Sequence, residues 1–101
     1  MALTGKQRRF LRALGHPLPV VVQIGKGGAS EAVADETRSQ LETHELIKIR
    51  VANGDKAKTV AEALSQVVNA EVAQVLGKTA LLFKQRDKEP AIELPAVRQA
   101  G

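Results

Sequence analysis

The residue types best placed to do chemistry in this 101-residue chain are glycines and lysines. Gly25-Lys26-Gly27-Gly28 follows a short β-branched run, Val20-Val21-Val22-Gln23-Ile24, and precedes Ser30, a good helix cap. A strand that passes through such a loop into a helix N-terminus brings unhindered backbone N–H groups together where an anion can approach. Lys26 adds a mobile cation beside the helix dipole. The chemistry implied is phosphate binding. Taken alone, the same four residues better describe a strand-to-helix turn whose glycines serve only to reach positive φ. What favours an anion is that the same basic N-terminal segment contains Arg8, Arg9 and Arg12.

A GxxG loop that clamps several nucleotides of backbone is how KH-type modules hold single-stranded RNA. Gly77-Lys78-Thr79 invites comparison with a nucleotide-binding P-loop, but that motif needs a glycine five residues before Gly77, where Val72 stands. It is read as a hairpin turn with Lys78 available to phosphate. Zero Cys excludes thiolate metal sites, disulfides and a cysteine nucleophile. His16 and His44 sit in no nucleophile or ligand constellation, and the acids at Glu31, Asp35 and Glu36 follow helical surface spacing. No catalytic residue, metal or cofactor is implied, and the chain is read as non-enzymatic. With Phe10 and Phe83 as its only aromatics, it has no RRM-like stacking surface, so RNA contacts should rest on phosphate, 2′-OH and shape.

Charge is distributed unevenly. Residues 1–30 carry five bases and no acid. Residues 31–46 carry Glu31, Asp35, Glu36, Glu42 and Glu45 against Arg38 alone, and the remainder is basic again, for a net charge of +4. A polarised small domain of this kind suggests a surface for polyanions, and by composition alone it describes a merely solvated surface equally well. Apolar residues at 44% beside 26% charged describe one globular domain, assigned to residues 1–95, with a flexible tail over 96–101. No apolar run is long enough to span a membrane and no signal-like segment precedes Gly15, so a cytoplasmic location without membrane contact is expected.

The elements that must position these residues follow from capping and periodicity. Thr4 with Gln7 has capping-box spacing and opens a first helix ending at Gly15, with Phe10, Leu11 and Leu14 on its apolar face and Arg8, Arg9 and Arg12 opposite. Pro19 to Ile24 reads as a strand. Ser30 caps a second helix to about His44 with a thin stripe of Val33, Thr37 and Leu41. Leu46 to Val51 alternates as a half-exposed strand, with Ile47, Ile49 and Val51 inward and Lys48 and Arg50 outward. A third helix is expected over about 56–69, then a hairpin of Val72–Leu76 and Thr79–Lys84 around Gly77-Lys78. The segment from Gln85 to Pro90 reads as a polar linker, and Ile92 to Pro95 as a clip back onto the body. The resulting order, α-β-α-β-α-β-β, predicts an α/β sandwich on a mixed four-stranded sheet.

Several of these pieces together resemble the CRM-domain family, in its stand-alone bacterial YhbY-type form. They are Leu3-Thr4 with Gln7-Arg8-Arg9-Phe10-Leu11, His16-Pro17-Leu18, Ile24-Gly25-Lys26-Gly27-Gly28, His44-Glu45-Leu46-Ile47-Lys48 and Val75-Leu76-Gly77-Lys78-Thr79, spread over about residues 3–95. Ala29 and Phe83-Lys84 depart from the family's usual larger aliphatic residue and Tyr-Arg. The resemblance implies a fold similar to the C-terminal domain of translation initiation factor three. It also implies an RNA-binding protein whose partner is ribosomal RNA or the precursor large ribosomal subunit, in ribosome assembly; separately, a monomer is expected. Gly25, Lys26, Gly27 and Gly28 would form the RNA loop, with Arg8, Arg9, Arg12, Lys48 and Lys78 as a wider cationic surface. A protein adaptor docking through acidic helix 2 is the alternative.

Overall fold

A computed structural model describes residues 3–96. Helix α1 spans Gly5–Gly15, strand β1 Val20–Ile24, helix α2 Glu31–His44 and strand β2 Leu46–Val51. A single 3-10 turn at Gly54–Lys56 leads into helix α3, Ala57–Val68, followed by strands β3, Glu71–Leu76, and β4, Thr79–Phe83. The order is the one expected. The sheet runs β1-β2-β4-β3, with β1 parallel to β2 and the other pairs antiparallel.

Alternation along the strands builds three layers. Val22, Ile24, Ile47, Ile49, Val51, Ala80 and Leu82 face α2 and α3, which contribute Ala34, Leu41, Ala57, Ala61, Leu64 and Val68 to the larger core. The opposite sheet face carries Leu46, Leu81 and Phe83 into a smaller core under α1, with Leu3, Leu11 and Ala73. On α2, Ala34 takes the buried position beside Thr37 and Leu41, and Val33 is half-buried; the Thr37 hydroxyl is satisfied by the Val33 carbonyl at 2.7 Å.

Helix α1 differs from its expected packing in one respect. Its buried stripe is Gln7, Leu11 and Gly15 behind Leu3, at i, i+4 and i+8, so Phe10 lies at the margin and Leu14 is 41% exposed. An amphipathic count of apolar residues could not find this, because Gln7 occupies an inward position. Its side chain completes the capping box on Thr4 and donates to the Pro95 carbonyl at 3.1 Å. Gly15 ends the helix as expected and has a packing role besides. It is the last helical residue, and a Cβ there would lie 2.5 Å from Leu81 Cδ1, so its bareness lets α1 press onto the sheet.

Residues 85–90 are held more firmly than a linker. Glu45, at φ 62°, is wholly buried, and its carboxylate accepts from the amides of Arg86, Ala91 and Ile92 at 2.6–2.7 Å. Burial alone would raise its pKa. The three amide donors and the nearby Arg86 guanidinium outweigh that and hold the carboxyl below its ordinary value of 4.5. Ile92 and Leu94 then pack against the smaller core, as the clip requires. Of the tail assigned to 96–101, all but Ala96 lies outside the described residues.

Candidate nucleic-acid interface

Strand β2 is the central support of the glycine loop. Beyond its end, the Ala52 amide donates to the Ile24 carbonyl at 2.9 Å, and the Val51 amide donates to the Lys78 carbonyl at 2.7 Å. One stretch of chain therefore fastens the end of β1 on one side and the β3–β4 turn on the other. The result is a cleft of about 700 Å³ at this end of the sheet, where Gly25, Lys26 and Gly28 meet Lys78 and the Asn53–Lys56 turn. Lys56 joins Lys26 and Lys78 there, and Asp55 is the single carboxylate among the lining residues.

The turn at Asn53 is itself held locally, because the Asn53 side chain accepts from the Asp55 amide at 3.0 Å. Gly54 lies against the Lys78 stem, 3.1 Å from where a Cβ would sit, which brings the two turns into contact. Lys56 was absent from the sequence-derived site because its neighbours in the cleft come from β1 and the hairpin, distant in the chain.

The loop's glycines separate into two kinds. Gly28, at φ +71°, closes a turn in which its amide donates to the Gly25 carbonyl at 3.1 Å, and the Ser30 amide then donates to the Gly28 carbonyl at 2.9 Å. Its backbone conformation explains the glycine. Gly25 and Gly27 have no positive φ, and a Cβ on either would meet nothing within 4 Å. Nothing inside the protein requires them to be bare. The amides of Lys26 and Gly27 take no partner among the described residues, and α2 begins just beyond, its Ser30 hydroxyl accepting from the Val33 amide at 3.3 Å. Free donors, a helix N-terminus and three ammonium groups form a setting in which an anion is the complementary species.

The remaining residues expected at the site are placed elsewhere. Arg8, Arg9 and Arg12 are exposed on α1, across the sheet from α2, and none lines the cleft. Lys48 is half-buried and donates to the His16 carbonyl at 2.9 Å, satisfying the C-terminal end of α1. Other cations have similar internal uses. Arg38 reaches the Val67 carbonyl, Lys84 the Val68 carbonyl and Arg86 that of Glu42, so each caps a helix end. The acidic stretch shrinks as well, since Glu45 is internal and Asp35 pairs with Arg38 at 2.9 Å. Among the described residues no helix is long and apolar enough to cross a membrane, and no group of three or more His, Cys, Asp or Glu could hold a metal ion.

The comparisons with known proteins agree with this architecture. The family model of the CRS1 / YhbY (CRM) domain matches residues 3–84. A Bacillus subtilis protein named "Probable RNA-binding protein YqeI" is 39% identical over 95 residues, covering 92% of this chain and 99% of its own. A Haemophilus influenzae protein named "RNA-binding protein" is 35% identical over 95 residues, covering 92% of this chain and 95% of its own. A Staphylococcus aureus protein solved in solution superposes with a TM-score of 0.82 at 40% identity, over 92% of this chain and 99% of that one. By sequence over its length and by fold, this chain belongs to the CRS1/YhbY (CRM) domain family.

Proposed function

We propose that this protein is a non-enzymatic RNA-binding factor that engages ribosomal RNA of the precursor large subunit during assembly, gripping the phosphate backbone in the glycine cleft. The observation that carries the reading is the pair Gly25 and Gly27. Their bareness has no internal cause, and it leaves a path for a phosphate to reach the Lys26 and Gly27 amides between Lys26, Lys56 and Lys78. Names given to the relatives point the same way, and the family resemblance supplies the ribosomal setting. Arg8, Arg9 and Arg12 extend the cationic field on a second face, where they would meet a neighbouring stretch of a folded RNA.

Two measurements test this. Neutralising about four phosphates predicts a slope of roughly −3 to −4 in log affinity against log salt for ribosomal RNA, and a flat response would reject backbone gripping. Sedimentation of a lysate should place the protein with large-subunit precursors, and nuclease should release it. Association that survives complete RNA removal and depends on Glu31 and Glu36 would instead support a protein adaptor on α2.

A further inference from the structure

We propose that Gln23, Arg50, Thr79 and Leu76 form a platform for the bases of a single RNA strand whose phosphates lie in the glycine cleft. This rests on the RNA reading above and assigns the adjoining surface. Strand register pairs Gln23 with Arg50, Arg50 with Thr79, and Thr79 with Leu76, so the four side chains stand in one row across all four strands. They share the face that carries α1, because Arg50 alternates with Ile49 and Val51, which face the other helices.

Helix α1 stops one row short. The preceding row is covered, with Leu81 under Gly15 and Lys48 tied to His16. Beyond it, the side chains of Gln23 and Arg50 are exposed and take no hydrogen-bond or ionic partner among the described residues, and Leu76 is 65% exposed. Thr79 is fixed by its hydroxyl, which donates to the Leu76 carbonyl at 2.9 Å. An uncovered aliphatic group beside an unpaired guanidinium and an unpaired amide is a surface without an internal function.

Its position and chemistry fit a base-bearing strand. Gln23 lies two residues before Gly25, Thr79 directly follows Lys78, and Arg50 directly precedes Val51, which lines the cleft. Two residues of strand span about 6.6 Å, on the order of the offset between a nucleotide's phosphate and its base, and four strands span about 14 Å, room for about two nucleotides. The planar guanidinium of Arg50 stacks on a base as an aromatic ring does, the Gln23 amide meets a base edge, and Leu76 covers an apolar ring face. A chain with two phenylalanines, neither on this row, thus has another means of holding bases. The positive charge of Arg50 adds to that of Lys26, Lys56 and Lys78 at the same end of the sheet and favours a polyanion as occupant.

The test compares a short single-stranded RNA with an abasic ribose-phosphate strand of equal length, at fixed salt, on the full chain. Wild type should prefer the base-bearing strand. Arg50→Lys combined with Gln23→Ala, which keeps the charge, should lower that preference roughly tenfold while leaving the salt slope unchanged. Equal wild-type affinity for the two strands, or a preference untouched by the double variant, overturns the platform and leaves backbone gripping intact. Salt-insensitive or absent binding of both strands removes the cleft reading and the platform together. Leu76→Ser repeats the experiment at the far end of the row, where a smaller loss of the same preference is expected.

Discussion

The two ends of β2 use the same kind of group in opposite ways. At its start, Glu45 supplies a carboxylate and the chain supplies three amide donors, so an anion site is filled from within and sealed from water. At its far end, glycine-loop amides and three lysines stand with Asp55 as the one lining carboxylate and no ion pair to it among the described residues, beside glycines whose missing side chains the protein does not use. Backbone donors of one type are closed at the first end and open at the second. The comparison shows that a loop built for an outside anion is recognised by what its own fold leaves unsatisfied, more than by its glycine count.

Removing the anion from the closed end gives the largest expected effect. Glu45→Ala strands three part-buried amides and should destabilise the fold by about 3 kcal/mol, read as a fall in the denaturation midpoint. Since the folded pKa of Glu45 is depressed, its contribution is present above the ordinary value near 4.5 and declines as pH falls through the lower folded value. Wild type should therefore approach the Glu45→Gln variant in stability as the pH is taken below about 4.5. A difference between them that stays constant to acid pH would show that the carboxylate charge is not what holds the segment from Arg86 to Ile92.

Adding an anion to the open end is the reciprocal experiment. Gly25→Asp with Gly27→Asp should weaken RNA binding on the order of a hundredfold, through repulsion and blocked approach, and leave the thermal melt nearly unchanged because both positions face open space. Gly28 is spared in that variant because its φ of +71° would add backbone strain. A collapsed melt would mean that these glycines are structural after all. Gly15→Ala sharpens the distinction between packed and open glycines. Its methyl meets Leu81, so a cost of about 1–3 kcal/mol is expected, while Gly27→Ala should cost a small fraction of that.

The smallest effect separates two lysines that the sequence treats alike. Lys78→Ala should reduce the salt slope by about 1, the loss of one phosphate contact, whereas Lys48→Ala should change it little and cost about 0.5 kcal/mol of stability by freeing the His16 carbonyl. Equal changes in slope from both would place Lys48 at the RNA and enlarge the interface across the α1 face.

Much of the fold was legible because its signals are local. Capping at Thr4 and Ser30, strict alternation from Leu46 to Val51 and the Gly77-Lys78 turn each lie within a few residues, and the helices and strands appear where those signals put them. The loop at Gly25 was legible for the same reason. What periodicity misread were positions where a polar or bare residue packs inward, namely Gln7 and Gly15, and as a consequence Leu14 faces out. Nothing local distinguishes Glu45 from the other acids of its stretch. Its partners are more than forty residues away, so only the folded chain could turn a surface charge into a buried clamp.

By itself, then, the sequence determined the order of elements, the layered α/β class, the family and the loop that offers amides and charge. The tertiary structure decided which cations stand beside that loop. Lys56 and Lys78 reach it because β2 hydrogen-bonds to the end of β1 and to the hairpin turn, while Arg8, Arg9 and Arg12 remain on another layer and Lys48 is bound to a helix end. Capping and alternation act over one or two turns of chain, and convergence of charge depends on strand pairing between distant segments. Register, a property of pairs of strands, also sets Gln23, Arg50, Thr79 and Leu76 in line.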